Sequence, residues 1–370
     1  MRVIVVGGGY AGLTCLSALH RRRPKADLVL VDPAESHLIL TRLHETLRRP
    51  LGDFCRPFAR LAERLGFAHR RQELQISCDT LGIWQTARRL PLTDGELSFD
   101  ALVIATGARP RSTPRAPGTI GEEDFKRRGG RHLVDELAAE DDETGPPLTV
   151  VGGGATGLQF LFQLKDVLQG HGARRKLRLV HLEDRPLAGL PSACGDYVVK
   201  RLEASGIEHL PATRYLGQQK GEIRVANAED GRPRRLPSRL TFLFPGVVPA
   251  PCSLSVNGFG QVLADDEPLQ NIFSAGDCAR FPEGSYDAMT AQAAVAKGRL
   301  VADNILRLAD GRTLRPYRAR ERGYLVSLGY FDAVGWFGTP RRIATGVSAA
   351  LLKDALELRY DLSLPGEGRE

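Results

Sequence analysis

Two stretches of this chain carry the same short pattern in the same setting, and few folds accommodate that twice. The first runs from Met1 to Asp32. An apolar strand leads into Gly7-Gly8-Gly9-Tyr10-Ala11-Gly12, then a helical run to about residue 22, then Leu28-Val29-Leu30-Val31 and Asp32. Gly7, Gly9 and Gly12 hold the G-x-G-x-x-G spacing, and an acidic residue follows about twenty positions on. Each part has a physical task. Gly7 permits the tight turn, Gly9 lets backbone approach a pyrophosphate, and Gly12 lets helix and strand pack closely. The helix N-terminus offers free N–H groups and a positive dipole to phosphates. Asp32 can accept hydrogen bonds from a ribose.

The second copy opens with the strand Leu148-Thr149-Val150-Val151. Gly152-Gly153-Gly154-Ala155-Thr156-Gly157 follows, with Gly152, Gly154 and Gly157 in register, and Leu177 to Leu182 supplies the next strand. A repeated nucleotide-binding unit predicts two nucleotides, one held tightly and one that exchanges. The expected fold class is α/β, with two Rossmann-like domains.

The rest of the chain fits around these units. Residues 10–22 read as a helix stopped by Arg21-Arg22-Arg23-Pro24. Residues 37–65 are helical in pattern but irregular, and His37 and His44 have no metal-ligand spacing and read as core or surface histidines. Residues 67–99 read as an antiparallel meander, with strands near 69–75, 80–85 and 89–92. Asp100 to Gly107 is a buried strand ending in the small-residue turn Ala105-Thr106-Gly107, and Asn271 to Ala279 is another, ending at Gly276-Asp277. Residues 108–121 read as a linker. A helix is predicted from about Ala288 to Leu308. The tail reads as a helix over 348–362 with a broad apolar face that includes Leu351, Leu352, Leu356 and Leu358. That face either dips into a lipid interface or covers the protein's own core or a dimer partner.

Composition narrows the function classes. At 370 residues the chain has room for two or three domains. It holds 51 basic and 44 acidic residues, for a net charge of +7. This suits an anionic cofactor or membrane surface, but the basic residues are scattered and no nucleic-acid motif occurs. No apolar run is long enough to span a bilayer. Because Met1 leads directly into the first strand, a cytoplasmic protein is expected, with peripheral association on the inner face of the cell membrane left open. None of the six cysteines forms C-x-x-C.

In order along the chain, these motifs resemble flavoproteins with two dinucleotide-binding domains, and most of all type II NADH:quinone oxidoreductases and the related quinone reductases that resemble apoptosis-inducing factor. The resemblance spans essentially the whole chain. Thr93-Asp94-Gly95 with Asp100–Gly107 matches one family element, with Phe99 where tyrosine is usual. Gly276-Asp277 matches the second FAD motif, and Ala291-Gln292-Ala293-Ala294 the segment after it. His37-Leu38 with Leu43-His44-Glu45 resembles the segment beside the flavin, with Thr41 in place of proline.

The resemblance implies a glutathione-reductase-type fold. The FAD domain would comprise residues 1–111 and 246–322, the inserted NAD(P)H domain 112–245, and the C-terminal α/β segment 323–370. It implies that Gly7, Gly9, Tyr10, Ala11, Gly12, Asp32, Ala105, Thr106, Gly107, Gly276, Asp277 and Gln292 contact FAD. Gly152, Gly154, Thr156, Gly157 and His181 would belong to the NAD(P)H site. It implies hydride transfer from NADH or NADPH to FAD, then electron transfer to a quinone, with membrane association and a homodimer both open. The paired cysteines of disulfide reductases and sulfide:quinone reductases are missing, so no dithiol relay is expected.

Departures from the family pattern mark specific questions. Gln159 stands where glutamate is usual. His181 replaces the acid that would bind a ribose 2′-hydroxyl and repel a 2′-phosphate, which leaves NADPH open alongside NADH. Lys297 replaces a common glutamine. Lys353 resembles a C-terminal lysine near the flavin–quinone region and is the candidate catalytic residue; its other reading is a solvated lysine on a helix face. Two further activities stay open: reduction of a soluble carrier protein, and a flavin-bound interaction protein controlled by redox state.

Overall fold

Buried, β-branched strands end at each of the two glycine turns, and each strand lies inside a largely parallel sheet. The computed structural model describes residues 1–139, 144–251, 253–285 and 287–363. In the first sheet the strand order is Gln261–Ala264, Glu267–Ser274, Ala101–Ile104, Arg2–Val6, Asp27–Val31, Phe67–Arg70. All neighbours are parallel except the outer pair Gln261–Ala264 and Glu267–Ser274. Val3 sits between Leu28 and Ala101. The second sheet runs Thr119–Gly121, Leu240–Leu243, Leu148–Val151, Leu177–Val180, Glu208–Leu210, parallel throughout.

In both sheets the strand before the glycine turn has its successor on one side and a later strand on the other. That is the switch point of a doubly wound sheet, where a crevice opens beyond the strand ends. Antiparallel pairing of Ala108–Pro110 with Val247–Pro249 carries the chain out of the first sheet and back.

Helices cover the faces. Tyr10–Arg22 and Ala291–Ala309 pack side by side on one face of the first sheet, through Leu13, Leu16, Val301 and Ile305. Gly298 permits this approach, since a methyl group there would lie 2.3 Å from the Ala11 carbonyl oxygen. The second sheet shares one core with the C-terminal antiparallel sheet Gly323–Ser327, Ala333–Phe337, Thr339–Thr345 and with the 3-10 segment Leu40–Leu47. Leu43, Leu47, Val326 and Val334 join Leu158, Leu161 and Phe160 there. A region between these pieces is thereby built from four parts of the chain.

Several expectations need correction. The meander over 67–99 contains a helix, Cys78–Ala87, where strand 80–85 was expected. Ser77 caps it by accepting from the Thr80 N–H, and Leu81 and Trp84 turn one helical step apart into the core. The β-forming character of Thr80, Ile83 and Trp84 is overridden by that cap and by burial at i, i+3. Residues 37–65 are mostly not α-helical: Ser36–Leu38 pairs with Cys55–Pro57, and only Phe58–Leu65 forms an α-helix. The 108–121 linker contributes two short strands, Ala108–Pro110 and Thr119–Gly121.

The tail helix, Gly346–Ser363, does not turn its leucines onto the core. Ala349, Ala350 and Lys353 face inward, while Val347, Leu351, Leu356 and Leu358 are exposed. Among the described residues no helix is long and apolar enough to cross a membrane.

Candidate functional site

Small residues build two equivalent cradles. In the first, Gly7 has φ +105, and a methyl group on it would lie 2.3 Å from the Ala105 carbonyl oxygen. One on Gly12 would lie 1.9 Å from the Gly7 carbonyl oxygen. In the second, Gly152 has φ +123 with the Phe244 carbonyl oxygen at 2.2 Å, and Gly157 meets the Gly152 carbonyl oxygen at 2.0 Å. Gly9 and Gly154 differ from all of these: nothing lies within 4 Å of a methyl group placed on either, and both have ordinary extended backbone. Each is the N-cap of its helix, and neither provides a side-chain cap. No side chain caps the start of either helix, and the positive end of the helix dipole points out of each loop, the setting in which anions bind.

The other expected residues of the first cradle converge on it. Asp32 accepts from the Gly8 N–H at 2.6 Å and the Ala34 N–H at 2.7 Å, which fixes the strand end to the glycine loop. The Tyr10 hydroxyl lies 3.2 Å from the Thr41 hydroxyl. Gly276 has φ +83, and a methyl group on it would lie 3.1 Å from the Ala11 Cβ. Thr106 donates to the Ala250 carbonyl, and the Gly107 carbonyl accepts from the Ala250 N–H. Gln292 is exposed and accepts from the Arg322 N–H. Thr156, in the first turn of Ala155–Gly170, is exposed beside Gly154.

Asp277 is half-buried, and burial, with the Asp287 carboxylate, lifts its carboxyl to about 6 against the pull of Lys297. Lys297, for which the sequence offers no physical role, is 2% exposed. Its ammonium donates to Asp287 at 2.5 Å and to the Gly276 and Ala279 carbonyls at 3.0 Å each. It thus pins both ends of the turn that carries Asp277.

His181 does not point into the second cradle. It is buried, its Nε2 is 2.8 Å from His209 Nε2, and the rings stack. Burial, then His209, brings its pKa down to about 4, so it is neutral near pH 7. The ring lies against Gly153. Beyond the strand Leu177–Val180 a cavity of about 450 Å³ is lined by Glu183, Asp184, Arg185, Leu187 and Ser192 instead. Leu187 donates its N–H to the Gly153 carbonyl, which brings this segment back onto the glycine loop.

A second cavity, of about 380 Å³, lies where the 3-10 segment, the helix Ala155–Gly170, the C-terminal sheet and the tail helix meet. His44, Glu45, Gln163, Tyr330 and Lys353 line it. Lys353 is buried, not solvated, and its ammonium binds Glu357 at 2.5 Å. Burial raises the Glu357 carboxyl, while Lys353 and Arg42 oppose the rise. Burial, then the Lys353 charge, pushes His44 down to about 3, so the ring is neutral near pH 7.

Glu45 is gripped by Arg42 at 2.6 and 3.0 Å and by Arg48 at 2.8 Å. Burial acts to raise its carboxyl, but these guanidinium groups hold it down at about 2, below its ordinary 4.5. A carboxyl lowered in the fold stabilises the fold above its unfolded value, and that contribution fades as pH falls toward the folded value. The difference amounts to up to about 3 kcal/mol. Glu45→Gln is expected to remove this acid dependence, so that urea midpoints of variant and parent converge between pH 4.5 and 2. Midpoints that stay equally far apart down to pH 2 contradict the assignment.

Sequence reasoning missed Phe58, whose ring tip would sit 2.2 Å from a methyl group on Gly8 and closes the loop from behind. It also missed His209, Asp287 and Gln163, which carry no local signal because their partners are distant in the chain. His37 is buried with its Nδ1 3.1 Å from the Gly8 carbonyl oxygen, so it supports the loop. Cys15, Cys55, Cys194 and Cys278 are free thiols, and Cys252 lies outside the described residues. Among the described residues no cluster of side chains is arranged to hold a metal ion.

These features agree with comparisons to known proteins. A family profile described as pyridine nucleotide-disulphide oxidoreductase matches residues 1–298. A type II NADH:quinone oxidoreductase of Staphylococcus aureus is 26% identical over 419 aligned positions, covering 99% of this chain and 96% of the relative. Among solved structures, the sulfide:quinone oxidoreductase of Aquifex aeolicus superposes with a TM-score of 0.80 at 17% identity, over 98% of this chain and 91% of that one. NDH2 of Plasmodium falciparum in complex with NADH superposes at 0.78 and 13% identity, over 97% and 94%. These two structures share the fold with this chain.

Proposed function

The chain belongs to the pyridine nucleotide-disulphide oxidoreductase family, and on that premise we propose that it is an FAD-dependent enzyme that oxidises NADH or NADPH and passes the electrons to a quinone. The observation that carries this reading is the pair of matched cradles. Each has an open middle glycine at an uncapped helix N-terminus, which is what a dinucleotide pyrophosphate requires. Residues 1–111 and 246–322 would hold FAD, residues 112–245 the nicotinamide nucleotide, and residues 323–370 the acceptor side. Bound FAD supplies the two-electron chemistry.

The chain's own residues do the rest. Gly9 and the first turn from Tyr10 bind the FAD pyrophosphate, and Asp32 and Asp277 receive ribose and ribitol hydroxyls. Gly154 and Thr156 bind the second pyrophosphate. With His181 turned inward, Glu183 is the carboxylate at the ribose end of the nucleotide cavity, and Arg185 beside it tolerates a 2′-phosphate. Lys353 holds positive charge in the acceptor cavity. Cys15, Cys55, Cys194 and Cys278 are free thiols, and the proposed route uses no dithiol pair. The acceptor is assigned by the names of the type II relatives, which share 26% identity over nearly the whole chain.

The exposed Val347, Leu351 and Leu358 share one side of the tail helix and form the face proposed to rest on a lipid surface where quinone dissolves. The test is anaerobic stopped-flow on the purified protein. Fast bleaching of the flavin band by NADH or NADPH, and fast recovery with a short-chain ubiquinone, are the expected results. Sluggish recovery with quinone but rapid recovery with a carrier protein overturns the quinone assignment. A colourless protein that cannot be reconstituted with FAD overturns the whole reading. Vesicle co-sedimentation tests the lipid face, with a dimer in solution as the contrary result.

A further inference from the structure

We propose that Glu357 feeds the acceptor cavity with the proton that quinone reduction draws from water, passing it through the Lys353 ammonium; the assignment rests on the quinone reading above. The need follows from stoichiometry. NADH or NADPH gives up a hydride, which is two electrons with one proton. A quinone becomes a hydroquinone by gaining two electrons and two protons. One proton per turnover therefore comes from solvent, and the side chains around the cavity decide its route.

Lys353 lines the 380 Å³ cavity and is 7% exposed. Its ammonium is bound to Glu357 Oε1 at 2.5 Å, one helical turn further along the tail helix. Glu357 is not part of the cavity lining, yet its side chain keeps 17% of its surface exposed. One end of the pair thus meets the cavity and the other meets water. The remaining titratable groups of the lining suit the task less. Arg42 and Arg48 keep Glu45 ionised, with its carboxyl at about 2, and buried His44, at about 3, stays neutral. The Tyr330 phenol is bonded by Gln163, and burial pushes its pKa up. Asp354 adjoins Lys353 in sequence, so the two side chains leave the helix in different directions.

Glu357 is faced by Lys353 on its own helix and, from the 3-10 segment, by Glu45 and by Arg42, whose Nε lies 3.7 Å away. Burial and, less strongly, Glu45 push its carboxyl up, while Lys353 and Arg42 pull it down. The step balances. A Lys353 Nζ–H bond breaks, and its proton forms an O–H bond on the acceptor oxygen as the two electrons given up by the nucleotide arrive. The nitrogen is left neutral, so the charge that most opposed protonation of Glu357 is gone. The carboxylate takes a proton from water and hands it to the Lys353 lone pair, and both groups return to their starting charges.

The test is anaerobic stopped-flow on the FAD-loaded parent, Glu357→Gln and Glu357→Asp, with bleaching by NADH and recovery with menadione followed separately. Glu357→Gln is expected to bleach normally but to recover about a hundredfold more slowly, as when a general acid is lost, with half-saturation by menadione little changed. Imidazole, a small proton carrier, is expected to restore much of that rate and to leave the parent unaffected. Glu357→Asp keeps a carboxyl one methylene back. It is expected to recover faster than Glu357→Gln, and it carries the comparison where the glutamine variant does not fold. In the parent, recovery is expected to slow as pH rises, since the carboxylate then gains protons less readily, and this limb is expected to be missing from Glu357→Gln.

Recovery of Glu357→Gln at the parent's rate overturns the proposal. So does a slow recovery that imidazole leaves unmoved, or one that reflects weaker menadione binding alone, either of which marks a purely structural ion pair. Quinone reduction by the parent stands in each case. A parent that bleaches with NADH but recovers only with a carrier protein overturns the quinone reading, and this assignment with it.

Discussion

Replacing Gly154 with alanine is expected to leave a folded, yellow protein that scarcely takes up NAD(P)H. A methyl group at Gly154 meets nothing in the protein, and its backbone angles suit any residue. On the proposed function, what it obstructs is the pyrophosphate at the helix N-terminus. Loss of close backbone approach is expected to raise the apparent Kd for NADH about a hundredfold, or about 2.7 kcal/mol. Gly9→Ala is the counterpart, expected to fold but purify without flavin. Gly157→Ala and Gly12→Ala behave differently. Each methyl group would lie about 2 Å from a backbone carbonyl oxygen that cannot move aside. These variants are expected to lose about 3 kcal/mol of stability or fail to fold. Melting temperature, flavin content and NADH titration separate the two classes. Equal losses of stability in all four variants, or tight NADH binding by Gly154→Ala, would contradict the assignment of the cradles.

Lys297→Met carries the second large effect. The substitution keeps most of the volume and removes the charge. It leaves the Gly276 and Ala279 carbonyls without the donor they share and Asp287 without its cation. Breaking such a pair from one side costs about 3 kcal/mol. Asp277 is affected as well. Burial and then Asp287 raise its carboxyl, and Lys297 is the group that opposes them. Without Lys297 the carboxyl rises above its present value of about 6, so a larger share of it is protonated near neutral pH. On the proposed function, this weakens an acceptor for the ribitol. The expected outcome is a lower melting temperature and faster loss of FAD on dilution. That loss should slow as pH rises and Asp277 ionises again. Flavin retention equal to the parent's across that pH range would remove Lys297 from the cofactor site.

The two glycine fingerprints were legible because their constraints are local. Turn, close approach and helix start all fall within a few residues, so spacing alone reveals them. The later small-residue turns at Gly107 and Gly276 were legible for the same reason. The helix Cys78–Ala87 was misread because its cap and its two buried side chains had to outweigh strand-forming residues.

His181 was placed at the right strand end, but its orientation depends on His209, 28 residues away on a neighbouring strand. Lys353 illustrates the same limit. On an amphipathic wheel it falls on the polar side of the tail helix, yet in the fold it is the buried one and the leucines are outside. Helical periodicity says which residues share a face, not which face meets the protein. That choice depends on what the face packs against, here a cavity bounded by Glu45 and Gln163.

Sequence alone thus determined the α/β class, the two glycine turns and the residues that shape them, because short-range backbone geometry demands those residues. Tertiary structure alone decided how Lys297 holds the Asp277 turn, where His181 points and that Lys353 is buried against Glu357. Each of those depends on charges and hydrogen bonds between segments that the chain brings together only by folding.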